Sequence, residues 1–319
     1  MPSTLFATSK YFGIGNRIDA DTVEEAVEQA GMDWKVSKHE LISKSIDPNF
    51  NGLPLSRHVS IIREDTRTVV GVLGNGYECI QNIEAMKMFE SILADGEITF
   101  EHGGQLDGGR RLWVVAKLPN PLKVGPNLIE KNIVISWSHS GEMAISAFFT
   151  PYLYRRGRHI ALTAPIRGVP MSVSIKHTKH ALSRMKIAGE TLRKSRLYFQ
   201  EVADIFIDMV GTPFHTSSMD NYLHLLFPDK ELVRTSTGKE RVNQNVRKRE
   251  EVMELFNQDH SVSGTKWAAL TAIAEWTDHE RTGRITQGSD KNELRLDGIW
   301  TGSAANFKSK AFKTLLEEV

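Results

Sequence analysis

Between residues 151 and 200 eleven lysines and arginines stand against a single carboxylate, Glu190. The flanking stretches run the other way, net −5 over residues 1–150 and net −4 over 201–319, so the overall +1 hides a segment of +10. Positive charge gathered in one place favours a polyanion, and nucleic acid is the expected partner, with a solvated basic face as the plainer alternative. Within the segment Arg155, Arg156, Arg158, Lys176, Lys179, Lys186 and Arg193 are the groups expected to neutralise phosphates, joined by Arg110 or Arg111 from an earlier hairpin. Tyr154 directly precedes the arginine pair and is expected to stack on an unpaired base, as single-strand binders require. Such a groove predicts weak sequence preference and strong salt dependence.

Other groupings carry less chemistry. "EHGGQLDGGRRLWVVAKL", residues 101–118, has two glycine pairs, yet it lacks the Lys-Ser/Thr pair of a phosphate loop and leads into a β-prone run where that loop needs a helix. Asp107-Gly108 therefore reads as a hairpin turn, with Arg110 and Arg111 on alternate faces of the following strand. His177 and His180 form an HxxH at a strand-to-helix junction, read as surface or phosphate-contacting histidines. Asp278, His279 and Glu280 read as a polar cluster at a helix end. No HExxH, paired-cysteine or GxSxG pattern is present, so the sequence supports no enzyme, no metal and no cofactor. A nuclease built on Asp278, His279 and Glu280 is a third and lesser reading.

The elements that position these residues follow from periodicity. "DTVEEAVEQAG" (21–31) reads as a short capped helix. Asn75-Gly76 between two β-prone runs predicts a hairpin, and residues 83–96 a helix with Ile83, Met86, Phe89, Ile92 and Leu93 on one face. From 97 to 177 short β-prone runs alternate with Gly-containing turns, the pattern of a curved antiparallel meander. From Lys179 to Met209 apolar residues recur every three or four positions, predicting one long amphipathic helix with Lys179, Lys186 and Arg193 along one edge. Helices are also expected within 234–256 and 264–285 and at the C-terminal end, with a polar connection over 286–298.

Mean hydropathy is −0.31 and no apolar run approaches the ~18–20 residues of a membrane span. Cys79 is the only cysteine, which fits a reducing compartment, and a cytoplasmic protein without a membrane partner is expected.

Four stretches, "VVGVLGNGYECIQNIEAMKMFESI", "FEHGGQLDGGRRLWVVAKL", "IKHTKHALSRMKIA" and "GTKWAALTAIAEWTDHERTGR", resemble in the same order an uncharacterised family of phage- and plasmid-like proteins, over most of residues 30–312. The resemblance implies a mobile-element origin and supplies no activity. This chain departs from the family in the shorter "PIRGVPMSVSIKHT". Element order and charge are also similar to the core of phage single-strand annealing proteins, which implies assembly into rings or filaments on DNA. The expectation is thus an α+β fold: a curved antiparallel β-meander packed on a long helix (1–211) and a mainly helical C-terminal region (212–319). Its expected work is single-stranded DNA binding as a homo-oligomer in bacteriophage or plasmid recombination or replication. A module that binds or inhibits a host protein complex is the alternative.

Overall fold

The computed structural model describes residues 10–90, 98–166, 172–192, 195–229, 244–258, 262–281 and 290–317. The fold is α+β, a curled antiparallel sheet with helices on both faces. Its strands are β1 (Asn16–Arg17), then after the strands of a smaller sheet β5 (Thr99–Leu106), β6 (Arg111–Val124), β7 (Asn127–Ser138), β8 (Ile145–Arg155), β9 (Arg158–Ala161) and β10 (Ser172–Ile175). The order is β1-β5-β6-β7-β8-β10, and β9 pairs with the far end of β8 through Arg155↔Arg158. The smaller sheet is β2 (Val36–Ile42), β3 (Pro54–Arg63) and β4 (Thr68–Gly74) in that order.

Alternation along the strands divides the sheet into two apolar faces. On the first, Leu112, Val114, Ala116, Ile133, Ile135, Trp137 and Phe149 belong to the large core. This core is roofed by α1 (Val23–Gln29), the short α2 (Asn82–Met86) and, after α3 (Ala181–Leu192), by α4 (Ser195–Gly211). Phe149 sits with its ring 5.4 Å from that of Tyr198 and 5.9 Å from that of Phe199. On the second face Trp113, Val115, Val134 and Tyr152 meet Tyr11 from an N-terminal turn and Leu296, Ile299 and Trp300. The remaining helices are α5 (Thr216–Leu226), α6 (Gln244–Asn257), α7 (Lys266–Glu275), α8 (Lys291–Trp300) and α9 (Ser303–Glu317). Residues of α5, α6, α7 and α9 join the large core, so one apolar cluster reaches from Ile18 to Leu315.

The meander appears where the turn signals put it. Asp107, Gly108 and Gly109 all have positive φ (50°, 64° and 95°) and turn β5 into β6. The Gly103-Gly104 pair serves close packing instead. A Cβ on Gly104 would lie 2.6 Å from Gly15 Cα, because the N-terminal segment crosses β5 there. Neither pair opens a helix, the geometry a phosphate loop needs.

Two expectations are corrected, and a third falls partly outside the described residues. The hairpin of the small sheet turns at Glu64–Arg67, with Arg67 at φ 55°, whereas Asn75-Gly76 ends β4 and leads toward α2. The Asn-Gly pair is held out of a hairpin because Asn75 donates to Ser56 O at 3.1 Å and the chain then needs Tyr77 to turn inward, its hydroxyl donating to Ser138 O. Residues 291–298, read as connection, belong to α8: Asp290 caps the backbone N–H groups of Asn292 and Glu293, and Leu296, Ile299 and Trp300 bury one face. The helical run expected over 179–209 is α3 and α4, either side of residues 193–194, which lie outside the described residues, Arg193 among them.

Candidate nucleic-acid interface

The β8–β9 hairpin turns through Arg156 (φ 50°) and Gly157 (φ 76°), which places its three arginines against the C-terminal helices. Arg155 Nη1 donates to Thr271 Oγ1 at 2.6 Å. Arg156 pairs with Glu275, a carboxylate only 2% exposed, and donates to Gln258 at 2.8 Å. Arg158 lies 2.6 Å from Glu280 and 3.7 Å from Glu275. Arg156 and Arg158 line a cavity of about 420 Å³ whose other charged walls are Glu251, Glu254, Glu275 and Glu280. The charges of Arg156 and Arg158 are thus matched internally by carboxylates of the C-terminal helices. Tyr154, beside them, is exposed, with its ring 4.8 Å from that of His159.

Arg110 and Arg111 divide as their alternation predicts. Arg110 keeps 43% of its side chain in solvent, between Asp107 (3.4 Å) and Glu142 (3.3 Å). Arg111 turns in and binds Asp297 of α8 at 2.7 Å, 21% exposed. The same helix reaches the hairpin tip, where Asp107 N–H donates to Glu293 at 2.8 Å.

Another set stands apart. Lys176, Lys179, His180 and Arg184 are exposed where β10 passes into α3, and Lys186 falls further along that helix. Among the described residues Lys176, Lys179 and Arg184 have no ion-pair partner. Leu182 and Ile187 are exposed beside them. Arg184 escapes the sequence pattern because it falls outside the seven-residue rhythm of Lys179 and Lys186. His177 departs from its expectation as a surface histidine: it is 8% exposed, stacks on Tyr77 at 4.9 Å, and burial holds its pKa down at about 4. The HxxH therefore points its two rings into different surroundings.

The second face of the sheet holds polar groups that no sequence pattern announces. Lys10 bridges Glu101 and Glu130, each at 2.6 Å, and Lys117 closes on Glu130 at 2.5 Å. Tyr11 donates to Glu101 at 2.8 Å, and burial raises its pKa well above the ordinary tyrosine value. Asp278, His279 and Glu280 lie in a single π turn, Trp276–Glu280, a geometry often found at functional sites. Each nevertheless has its own internal partner. Asp278 accepts from Lys308 and from Ala161 N–H, His279 hydrogen-bonds to His159 O at 2.9 Å, and Glu280 takes Arg158. Among the described residues no three His, Cys, Asp or Glu side chains are placed to hold a metal ion. No helix among them is long and apolar enough to cross a membrane.

Residues 69–300 match a family described as a domain of unknown function, DUF932, and the chain belongs to that family. The match begins in β4 and ends with α8, so it contains the meander, the basic strip and the π turn, and leaves out β2 and β3. Neither the curated proteins nor the solved structures contain a match.

Proposed function

We propose that the protein binds single-stranded nucleic acid, DNA in preference to RNA, along the strip formed by Lys176, Lys179 and Arg184. The observation that carries this reading is the contrast between two sets of cations. Arg156 and Arg158 of the β8–β9 hairpin are matched by carboxylates, whereas those of the strip face solvent with no acidic partner among the described residues. Unmatched cations on an exposed edge are what a phosphate backbone recruits, since each contact releases a counterion. The reading extends to assembly as a homo-oligomer on the strand and to annealing in phage or plasmid recombination or replication. Base pairing drives that process, so it calls for no metal or nucleotide and no catalytic group.

The test is fluorescence anisotropy of a labelled single-stranded oligonucleotide over a salt series, with duplex DNA and RNA as competitors. Replacing Lys176, Lys179 and Arg184 together by Ala is expected to weaken binding on all sequences alike and to reduce the salt slope by about 2, at ~0.7 per phosphate contact. Absence of binding at low salt overturns the reading.

One observation favours a protein-interaction module instead. The β2–β3 arm is exposed on both sides from residue 44 to 58, and Ile42, Ile46, Phe50, Leu53 and Leu55 are open to solvent there. Apolar surface of this extent on one protrusion is uncommon in a chain without a partner. Capture of a host protein that is lost when Phe50, Leu53 and Leu55 become Ser, with oligonucleotides ignored, would establish it.

A further inference from the structure

A cavity of about 360 Å³ opens between the second face of the sheet and helices α8 and α9. We infer that it is a subsite for one unpaired nucleobase of the bound strand, an inference that rests on the strand binding proposed above.

The lining sets the ligand class. None of the described residues around the cavity is charged, which disfavours a phosphate or a carboxylate as occupant. Thr150 of β8, Thr163, Ser172 and Ser309 of α9 instead supply hydroxyls, each able to donate or accept, whereas the Ser146 hydroxyl is already engaged by Ala144 O and Ser174 Oγ. Phe148 and Trp300 add aromatic surface. Trp300 is 8% exposed and its Nε1 donates to Tyr152 Oη at 2.8 Å, so the indole is fixed in orientation before any ligand arrives. Flat apolar surface with neutral hydrogen-bonding groups at the edges suits a planar, uncharged heterocycle. Because hydroxyls reverse their role, the site accepts any base, as sequence-tolerant strand binding requires.

Two further observations place the subsite. Asn132, on β7 directly across from Thr150, is fully buried, and neither its amide nitrogen nor its oxygen has a partner. An orphaned amide beside a hydroxyl-lined cavity marks this end of the face as built for a polar guest. Ser172 of the cavity and Lys176 of the strip are four residues apart along β10 and its exit, roughly 13 Å at ~3.3 Å per residue. A strand held at the strip has the cavity within a short run of nucleotides.

The experiment uses the full chain and a thymidine oligonucleotide carrying one 5-iododeoxyuridine, with anisotropy for affinity and ultraviolet crosslinking with peptide mapping for position. Crosslinks to Trp300 or Phe148 are expected. The isosteric variant T150V/T163V is expected to lower crosslink yield and affinity by about fivefold for each hydroxyl that bonds the base, with the salt slope unchanged because no phosphate contact is lost. Strand binding with crosslinks only elsewhere, for example at Tyr154, overturns the subsite and leaves the strip standing. No strand binding down to low salt overturns both.

Discussion

The guanidinium of Arg156, at the tip of the β8–β9 hairpin, is bound by the carboxylate of Glu275, a buried side chain at the end of α7. Removing the arginine leaves a charge in a nearly closed site, with only Arg158 at 3.7 Å to answer it. R156A is therefore expected to destabilise the fold by about 2 kcal/mol, and E275Q/R156Q to recover part of that loss. Urea titrations of the three proteins check this. A stability loss in R156A without change in strand affinity separates the hairpin from the strip.

Asn82 is the hub of the junction between the two sheets. It donates to Met32 O at 2.9 Å and to Trp34 O at 3.2 Å, while its own oxygen lies 3.2 Å from Trp137 Nε1 and 2.8 Å from His139 Nε2. Asn82→Ala orphans four buried groups together, and a loss of about 3 kcal/mol is expected by denaturant titration.

His139 and His177 make stability depend on pH. Burial holds their folded pKa values at about 3 and about 4, against the ordinary 6.5. The unfolded chain takes up both protons near pH 6.5 and the folded chain does not, so their contribution is complete above pH 6.5 and is lost as pH falls toward the folded values. By pH 5 the expected loss is about 2 kcal/mol for each histidine. Denaturation at pH 7 and pH 5 should show the drop in the wild type and a smaller one in H177Q.

The two glycine pairs of residues 101–118 separate in the same kind of experiment. Gly104→Ala forces a methyl onto the crossing backbone of Gly15, with an expected cost of about 2 kcal/mol and protease cleavage before residue 18. Gly108→Ala meets nothing within 4 Å and carries only the strain of φ 64°, about 1 kcal/mol, with no new cleavage.

The meander is legible in the sequence because its information is local: alternation along each strand, and turns marked by Asp107-Gly108 or Gly157. The helices are legible wherever they have one broad apolar face. Residues 291–298 escape because the apolar side of their helix is narrow, Leu296, Ile299 and Trp300 on an otherwise polar helix. The hairpin arginines look free because counting charge along the chain cannot see across it. Arg158 and Glu280 are 122 residues apart and touch only after α7 has docked. The same holds for the cavity, whose hydroxyls come from β8, β10, the loop between β9 and β10, and the α8–α9 end of the chain. None of them is unusual alone.

Lys308, in the last helix, is 2% exposed and reaches back to Asp278 and to the carbonyl of Ala161, both at 2.7 Å. The order of synthesis then matters. The second face of the sheet has Trp113, Tyr152 and the covering Tyr11 in place once Tyr152 is made, but the rest of its cover, Leu296, Ile299 and Trp300, comes from α8. At ~5–20 residues per second the ribosome needs roughly 10–40 s to travel from Trp113 to Lys308. Until α8 is made, Trp113, Val115 and, once made, Tyr152 have only the Tyr11 side of their cover, and Asp278, once made, lacks its counter-charge. The nascent sheet therefore keeps apolar surface exposed until α8 and α9 have been made and docked.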